Sequence, residues 1–71
     1  MRYRICEQLG AKIKRVRKKA KISQEKLAEQ AKMHASTLGR IERGESNPPV
    51  YTVYKIVKAL KVSLPEIFSF R

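Results

Sequence analysis

The stretch Ser23-Gln24-Glu25-Lys26-Leu27-Ala28-Glu29-Gln30-Ala31-Lys32-Met33-His34-Ala35-Ser36-Thr37-Leu38-Gly39-Arg40-Ile41-Glu42 holds two short helices and the break between them. Ser23 is a good N-cap, because its hydroxyl can accept from a backbone N–H of the first turn, and Glu25 sits where the helix dipole favours an acid. The first helix is predicted over about Gln24 to Ala31, with Leu27, Ala28 and Ala31 inward. Lys32-Met33-His34 interrupts the period, and a second helix follows over about Ala35 to Arg43 with Leu38 and Ile41 on one side. Two helices cross closely only where a small residue sits at the contact, and Ala28 supplies it. Leu27, Leu38 and Ile41 fill the wedge, which leaves Ala35, Ser36, Gly39, Arg40 and Arg43 on the outer face.

On the N-terminal side, Cys6, Leu9, Ile13, Val16 and Ala20 recur at intervals of three and four, one face of a helix over about Ile5 to Ala20. Gly10 costs that helix about 1 kcal/mol relative to alanine, so packing has to compensate. On the other side Gly44 can act as a left-handed stop, and Glu45-Ser46-Asn47-Pro48-Pro49 is a loop, because consecutive prolines forbid a continuing helix. A further helix is predicted over about Val50 to Leu60, with Val50, Val53, Ile56, Val57 and Leu60 as its apolar stripe. Ser63-Leu64-Pro65-Glu66 reads as a capping box opening a stub over Leu64 to Phe68. No segment alternates as a strand would. The expectation is an all-α bundle of five short helices, one domain over residues 1–71 with its core at about 5–68.

Seventeen Lys plus Arg face six Asp plus Glu, a formal net charge of +11. That exceeds the roughly 2 to 8 units that suit a small soluble domain, and a polyanion would relieve the self-repulsion. DNA, RNA and an anionic membrane all qualify. Hydrophobic residues make up 42%, more than a disordered basic tail would carry. The lone Cys6 cannot form an intramolecular disulfide, and no thiol or imidazole cluster suits zinc, so a reducing cytoplasm is the expected location and no metal or other cofactor is expected. Met1-Arg2-Tyr3-Arg4 leads into no long apolar stretch, so neither a signal peptide nor a membrane span is expected. Catalysis is not expected either. The sole histidine, His34, has no evident partner, there is no glycine-rich phosphate loop, and the acids are scattered.

The stretch 23–42 resembles the helix-turn-helix of the Cro/phage-repressor (XRE-like) family. Ser23-Gln24, Leu27-Ala28, Leu38, Ile41-Glu42, Arg43-Gly44 and Asn47-Pro48 carry the resemblance. It extends forward through Leu9-Gly10 to Arg17, and back through Lys55-Ile56, Ala59-Leu60 and Val62-Ser63-Leu64 to Phe68. Two residues depart from the family pattern. Lys32 stands where a turn glycine is common; a left-handed backbone there would cost of order 1 kcal/mol or more. Gly39 sits inside the recognition helix at a cost of about 1 kcal/mol; either it permits close approach to DNA or it is drift.

The resemblance implies roles residue by residue. Ala35, Ser36 and Arg40 match base-facing positions. Arg40 could fork onto guanine or clamp a phosphate, Ser36 could bond either, and Ala35 could only touch a thymine methyl or simply start the helix. Gln24 matches a phosphate contact that also braces the recognition helix, and Arg17, His34, Thr37, Arg43, Ser46 and Asn47 match positions that often meet the backbone. Such contacts fix register without reading sequence. His34 could equally cap the helix, and Asn47 could be a turn residue. Arg17 and Glu42 match a partly buried ion pair tying the first helix to the third. The basic run Lys12 to Lys21 would add long-range attraction to phosphate.

The function so implied is sequence-specific binding of double-stranded DNA by a small transcriptional regulator. A homodimer would place two recognition helices one helical turn apart, about 34–36 Å, on a near-palindromic site. Phe70 is the expected interface residue at the C-terminal end, with Ile67, Phe68, Tyr51 and Tyr54 as further candidates and Phe68 more naturally in the core. Antitoxins carry the same domain, so a toxin-type protein partner stays open. A charge-driven RNA or membrane-surface binder would leave the 23–42 motif unexplained.

Overall fold

The computed structural model describes residues 3–70; Met1, Arg2 and Arg71 lie outside the described residues, and with them the two ends of the expected domain span and the first residues of the N-terminal segment. Five helices follow in order: α1 Arg4–Lys19, α2 Gln24–Gln30, α3 Ala35–Glu42, α4 Val50–Leu60 and α5 Leu64–Ile67. There is no strand among the described residues. Helix α3 lies against both α1 and α2, α4 packs on α2 and α5, and α5 closes back on α1. Ile13, Leu27, Leu38, Ile41, Ile56 and Ile67 are fully buried, so every helix sends at least one side chain to the centre.

Two stripes differ from their periodic reading. Along α1, Cys6, Leu9 and Ile13 are buried, but Val16 is only half-buried and Ala20 is exposed, while Arg17 is inside. The period favoured the apolar residues; an ion pair overrides it. In α4, Val50 opens the helix with 77% of its surface exposed, because the first turn projects beyond the core. At the C-terminal end the expected aromatic roles are reversed: Phe70 is half-buried against the core and Phe68 is exposed, since α5 stops at Ile67 and turns the next side chain outward.

Helices α1 to α4 end in one closure, in which a residue with positive φ lets two backbone N–H groups turn back onto the last carbonyls. In α1, Ile22 N–H donates to Arg17 O at 3.3 Å and Lys21 N–H to Lys18 O at 3.0 Å. The same double bond recurs as Met33 to Ala28 with Lys32 to Glu29, as Glu45 to Arg40 with Gly44 to Ile41, and as Val62 to Val57 with Lys61 to Lys58. The left-handed residues are Lys21, Lys32 and Lys61, with φ of 62°, 58° and 62°, and Gly44 with φ of 76°. Ile22, Met33 and Val62, the residues after the three lysines, all pack half-buried on the core; after Gly44 the same place holds the exposed Glu45. Only Gly44 is sterically obligatory, because a Cβ there would lie 2.8 Å from the Cα of Glu7. Each lysine bears strain that glycine would not, so Lys21→Gly and Lys61→Gly should each stabilise the fold by about 0.5–1 kcal/mol in urea unfolding. A loss in both would mean that their side chains contribute more than the backbone costs.

The caps follow the sequence. The Ser23 hydroxyl accepts from Lys26 N–H at 3.0 Å and that of Ser63 from Glu66 N–H at 3.2 Å. The second box is one-sided: among the described residues, the return bond to the Glu66 carboxylate does not form.

Candidate nucleic-acid interface

Helix α3 is eight residues long, and its two sides differ sharply. Leu38, Gly39, Ile41 and Glu42 are buried, whereas Ser36, Thr37, Arg40 and the C-capping Arg43 are exposed. The outward side therefore carries two hydroxyls and two guanidinium groups. Ala35 is half-buried and packs on the core, which leaves it little surface for a base. His34 is the N-cap residue but makes no side-chain cap bond, and its ring is exposed at the helix entrance.

The helix is braced from behind by a polar network. Arg17 Nε donates to Glu42 Oε2 at 2.8 Å and Nη2 donates to Oε1 at 3.1 Å, a bidentate pair 8% and 6% exposed. Arg17 Nη1 donates to the carbonyl of Ile22 at 3.0 Å, so one guanidinium ties α1, the α1–α2 turn and α3. Gln24, the first residue of α2, donates from Nε2 to Glu42 Oε1 at 3.1 Å and adds the second helix. Planar, charge-assisted bonds of this kind fix orientation as well as distance. Arg17 is thus a tie first; for a phosphate it retains only the second N–H of Nη1 and of Nη2.

Arg43 is arranged differently. It is not paired with its neighbour Glu42 but with Glu45, Nε to Oε2 at 3.0 Å and Nη2 to Oε1 at 3.4 Å. The hydrogen bond first, and the charge of Glu45 second, raise the Arg43 pKa above its ordinary value, so the group is a fixed cation. Sequence reasoning missed Glu45 as a partner; its position just after the helix-stopping Gly44 was the available signal. Ser46 is half-buried and Asn47 exposed in the following loop, and Asn47 with Pro48 lines an apolar cavity of about 260 Å³ rather than extending the face of α3. Ile5, Cys6, Leu9, Val50, Val53, Leu64 and Phe68 complete its walls, and no charged residue is among them.

Among the described residues no cluster of His, Cys, Asp or Glu could hold a metal ion, and no helix is long and apolar enough to cross a membrane. The site offers donors and cations on a short, rigid helix, which suits an anionic polymer with polar edges.

Comparison with known proteins agrees with this geometry. The family model described as helix-turn-helix matches residues 13–67. Control protein C.BamHI of Bacillus amyloliquefaciens is 37% identical over 62 residues, covering 86% of this chain and 76% of that protein. Control protein C.SmaI of Serratia marcescens is 34% identical over 65 residues, covering 92% and 77%. The crystal structure of the restriction-modification controller protein C.AhdI from Aeromonas hydrophila matches with a TM-score of 0.87 at 27% identity, over 94% of this chain and all of that one (100%). With the braced outward face of α3 and a family match over most of its length, the chain belongs to the XRE-like helix-turn-helix family of DNA-binding transcriptional regulators.

Proposed function

We propose that the protein regulates transcription by setting the outer face of α3 in the major groove of a specific operator, two copies to a site. The observation that carries this reading is the pairing of an exposed face on α3, Ser36, Thr37, Arg40 and the C-capping Arg43, with a brace behind the same eight-residue helix, in which buried Arg17 of α1 and half-buried Gln24 of α2 hold the buried Glu42. A major groove is wide enough for such a helix, and Arg40 can fork onto O6 and N7 of one guanine. Ser36 reads or positions beside it. Gln24, Thr37, Arg43, His34 and Ser46 take phosphates, and Arg17 and Asn47 contribute less. The relatives C.BamHI and C.SmaI are control proteins, and C.AhdI is a restriction-modification controller; the same role, switching genes of such a system, fits this chain.

Charge selects the surface for the second copy. Two molecules of net charge +11 repel, so contact is favoured where no charge lies. The uncharged cavity rimmed by the exposed Ile5, Val50 and Phe68 meets that condition. Tyr51 and Tyr54 do not, because the amino groups of Lys55 and Lys58 lie over their rings at 5.4 and 5.6 Å. Ile67 is wholly buried and cannot take part.

Selection from a random duplex pool, run at several salt concentrations with Arg40→Ala beside the wild type, tests the reading. A near-palindromic site should enrich, and Arg40→Ala should lose roughly 1–3 kcal/mol of discrimination at one position per half-site. Steep salt dependence with no enriched sequence would reduce the surface to a backbone grip.

A further inference from the structure

The apolar stripe of α1 runs on past the core. Its last two members, half-buried Val16 and exposed Ala20, stay open to solvent. Beside them come Leu60, the last residue of α4, and Val62, which the closure of α4 folds back onto the core. These four residues floor a trough of about 430 Å³ between the C-terminal half of α1 and the α4–α5 turn.

The rim of the trough is charged. Lys12, Arg15 and Lys19 of α1 line it at spacings of three and four, and Glu66 of α5 is the single acid among its lining residues. Among the described residues none of these four side chains has an ion-pair partner. The basic run of α1 thus divides between two sides. Lys14 and Lys18 flank Arg17, which faces α3 through Glu42. Arg15 and Lys19 each lie two residues from Arg17, and a period of about 3.6 residues puts them on the opposite side of the helix, with Lys12 beside them. The cations of the trough therefore point away from the recognition helix.

We infer that this trough is a docking site for an acidic amphipathic helix of a partner protein. Apolar residues of that helix would cover Val16, Ala20, Leu60 and Val62, and acids on its flank would meet Lys12, Arg15 and Lys19. Charge complementarity selects this occupant. A second copy, also of net charge +11, is repelled. A nucleic acid would satisfy the cations but set phosphate and sugar against the apolar floor. A membrane is flat, whereas the apolar residues here lie below a charged rim. Since the trough and the outer face of α3 lie on different sides of α1, partner and DNA can be held together.

The probe is a fluorescein-labelled peptide of about four helical turns, with leucines at i, i+3, i+4 and i+7 and glutamates on its flanks. A peptide of the same composition in shuffled order is the control. At physiological salt the probe should bind at least about tenfold more tightly than the control by anisotropy, because only it can fill the floor. It should move the amide resonances of Val16, Ala20, Leu60 and Val62 in the NMR spectrum, and it should stay bound when saturating duplex is added. Arg15→Glu with Lys19→Glu should weaken the probe by about tenfold or more. Lys26→Glu with Lys32→Glu, the same change of net charge on exposed side chains elsewhere, should change it by no more than about twofold. The proposal is overturned if probe and control bind alike, if the two charge reversals cost the same, if the shifted resonances lie on α3 or spread over all the lysines, or if duplex displaces the probe. Tighter binding of oligouridine or of anionic vesicles at the same resonances would also overturn it, giving the face to RNA or to membrane. A wild type that binds the probe in the trough but no duplex would remove the DNA-binding reading and leave this one standing.

Discussion

Glu42→Ala is expected to cost about 3–5 kcal/mol, a large part of what holds the fold together. The alanine leaves Arg17 buried with its Nε and Nη2 donors unmet, and an uncompensated buried charge carries a penalty of that size. It also strips Gln24 of its acceptor. A chain of 71 residues has only about 4–11 kcal/mol of stability to lose. The double variant Arg17→Met with Glu42→Leu should recover most of the loss, since the charge and its partner leave together. Full recovery is not expected, because the carbonyl of Ile22 loses its donor. Urea unfolding of the three proteins measures this directly. A single variant within about 1 kcal/mol of the wild type would show that the pair is solvated, not buried.

Gly10→Ala should be nearly as damaging, by about 3 kcal/mol, and for an unrelated reason. A Cβ on Gly10 would collide with the carbonyl oxygen of Ile41 and lie 2.7 Å from that of Glu42. Those atoms are backbone in the middle of the α1–α3 crossing, so neither can rotate away, and the helices must part. Overpacking of this kind typically costs 1–3 kcal/mol, and the rigidity of both neighbours puts the site at about the upper end. By helix propensity alone the same substitution would stabilise by about 1 kcal/mol, so the sign of the change discriminates. The melting temperature should fall by roughly 12–24 °C. A rise would mean that α1 and α3 do not cross this closely.

These two residues also mark where the sequence was and was not legible. Helix existence could be read from local signals: the period of three and four, Ser23 and Ser63 as caps, Gly44 as a stop. The observed ends lie within a residue of those read, for instance Arg4–Lys19 against about 5–20. Ser36, Arg40 and Arg43 on the outward face of α3 could be read as well, because a helix whose apolar residues are fixed at Leu38 and Ile41 has one direction left for them; Ala35 and Gly39, read as outward too, are half-buried and buried. Partnership across the chain has no local signal: the Arg17–Glu42 pair was accessible only through the family resemblance. The carbonyls that forbid a side chain at Gly10 lie some thirty positions away, and nothing local distinguishes that glycine from Gly39. Left-handed Lys21 and Lys61 gave no warning, since lysine has no special liking for positive φ. The exchange of Phe68 and Phe70 depended on where a four-residue helix stopped, and a one-residue error there reverses inside and outside.

The brace behind α3 has a consequence for portability. The segment Ser23–Glu42 carries most of the side chains proposed to read or grip DNA, yet Arg17, Gly10 and the Ile22 carbonyl that hold it in shape all lie upstream. A transplant of that segment alone would move the lettering without the type-block. Exchange of operator preference between relatives therefore has two workable scales: single side chains on the outer face of α3, or a cassette that begins at α1 and runs past Gly44.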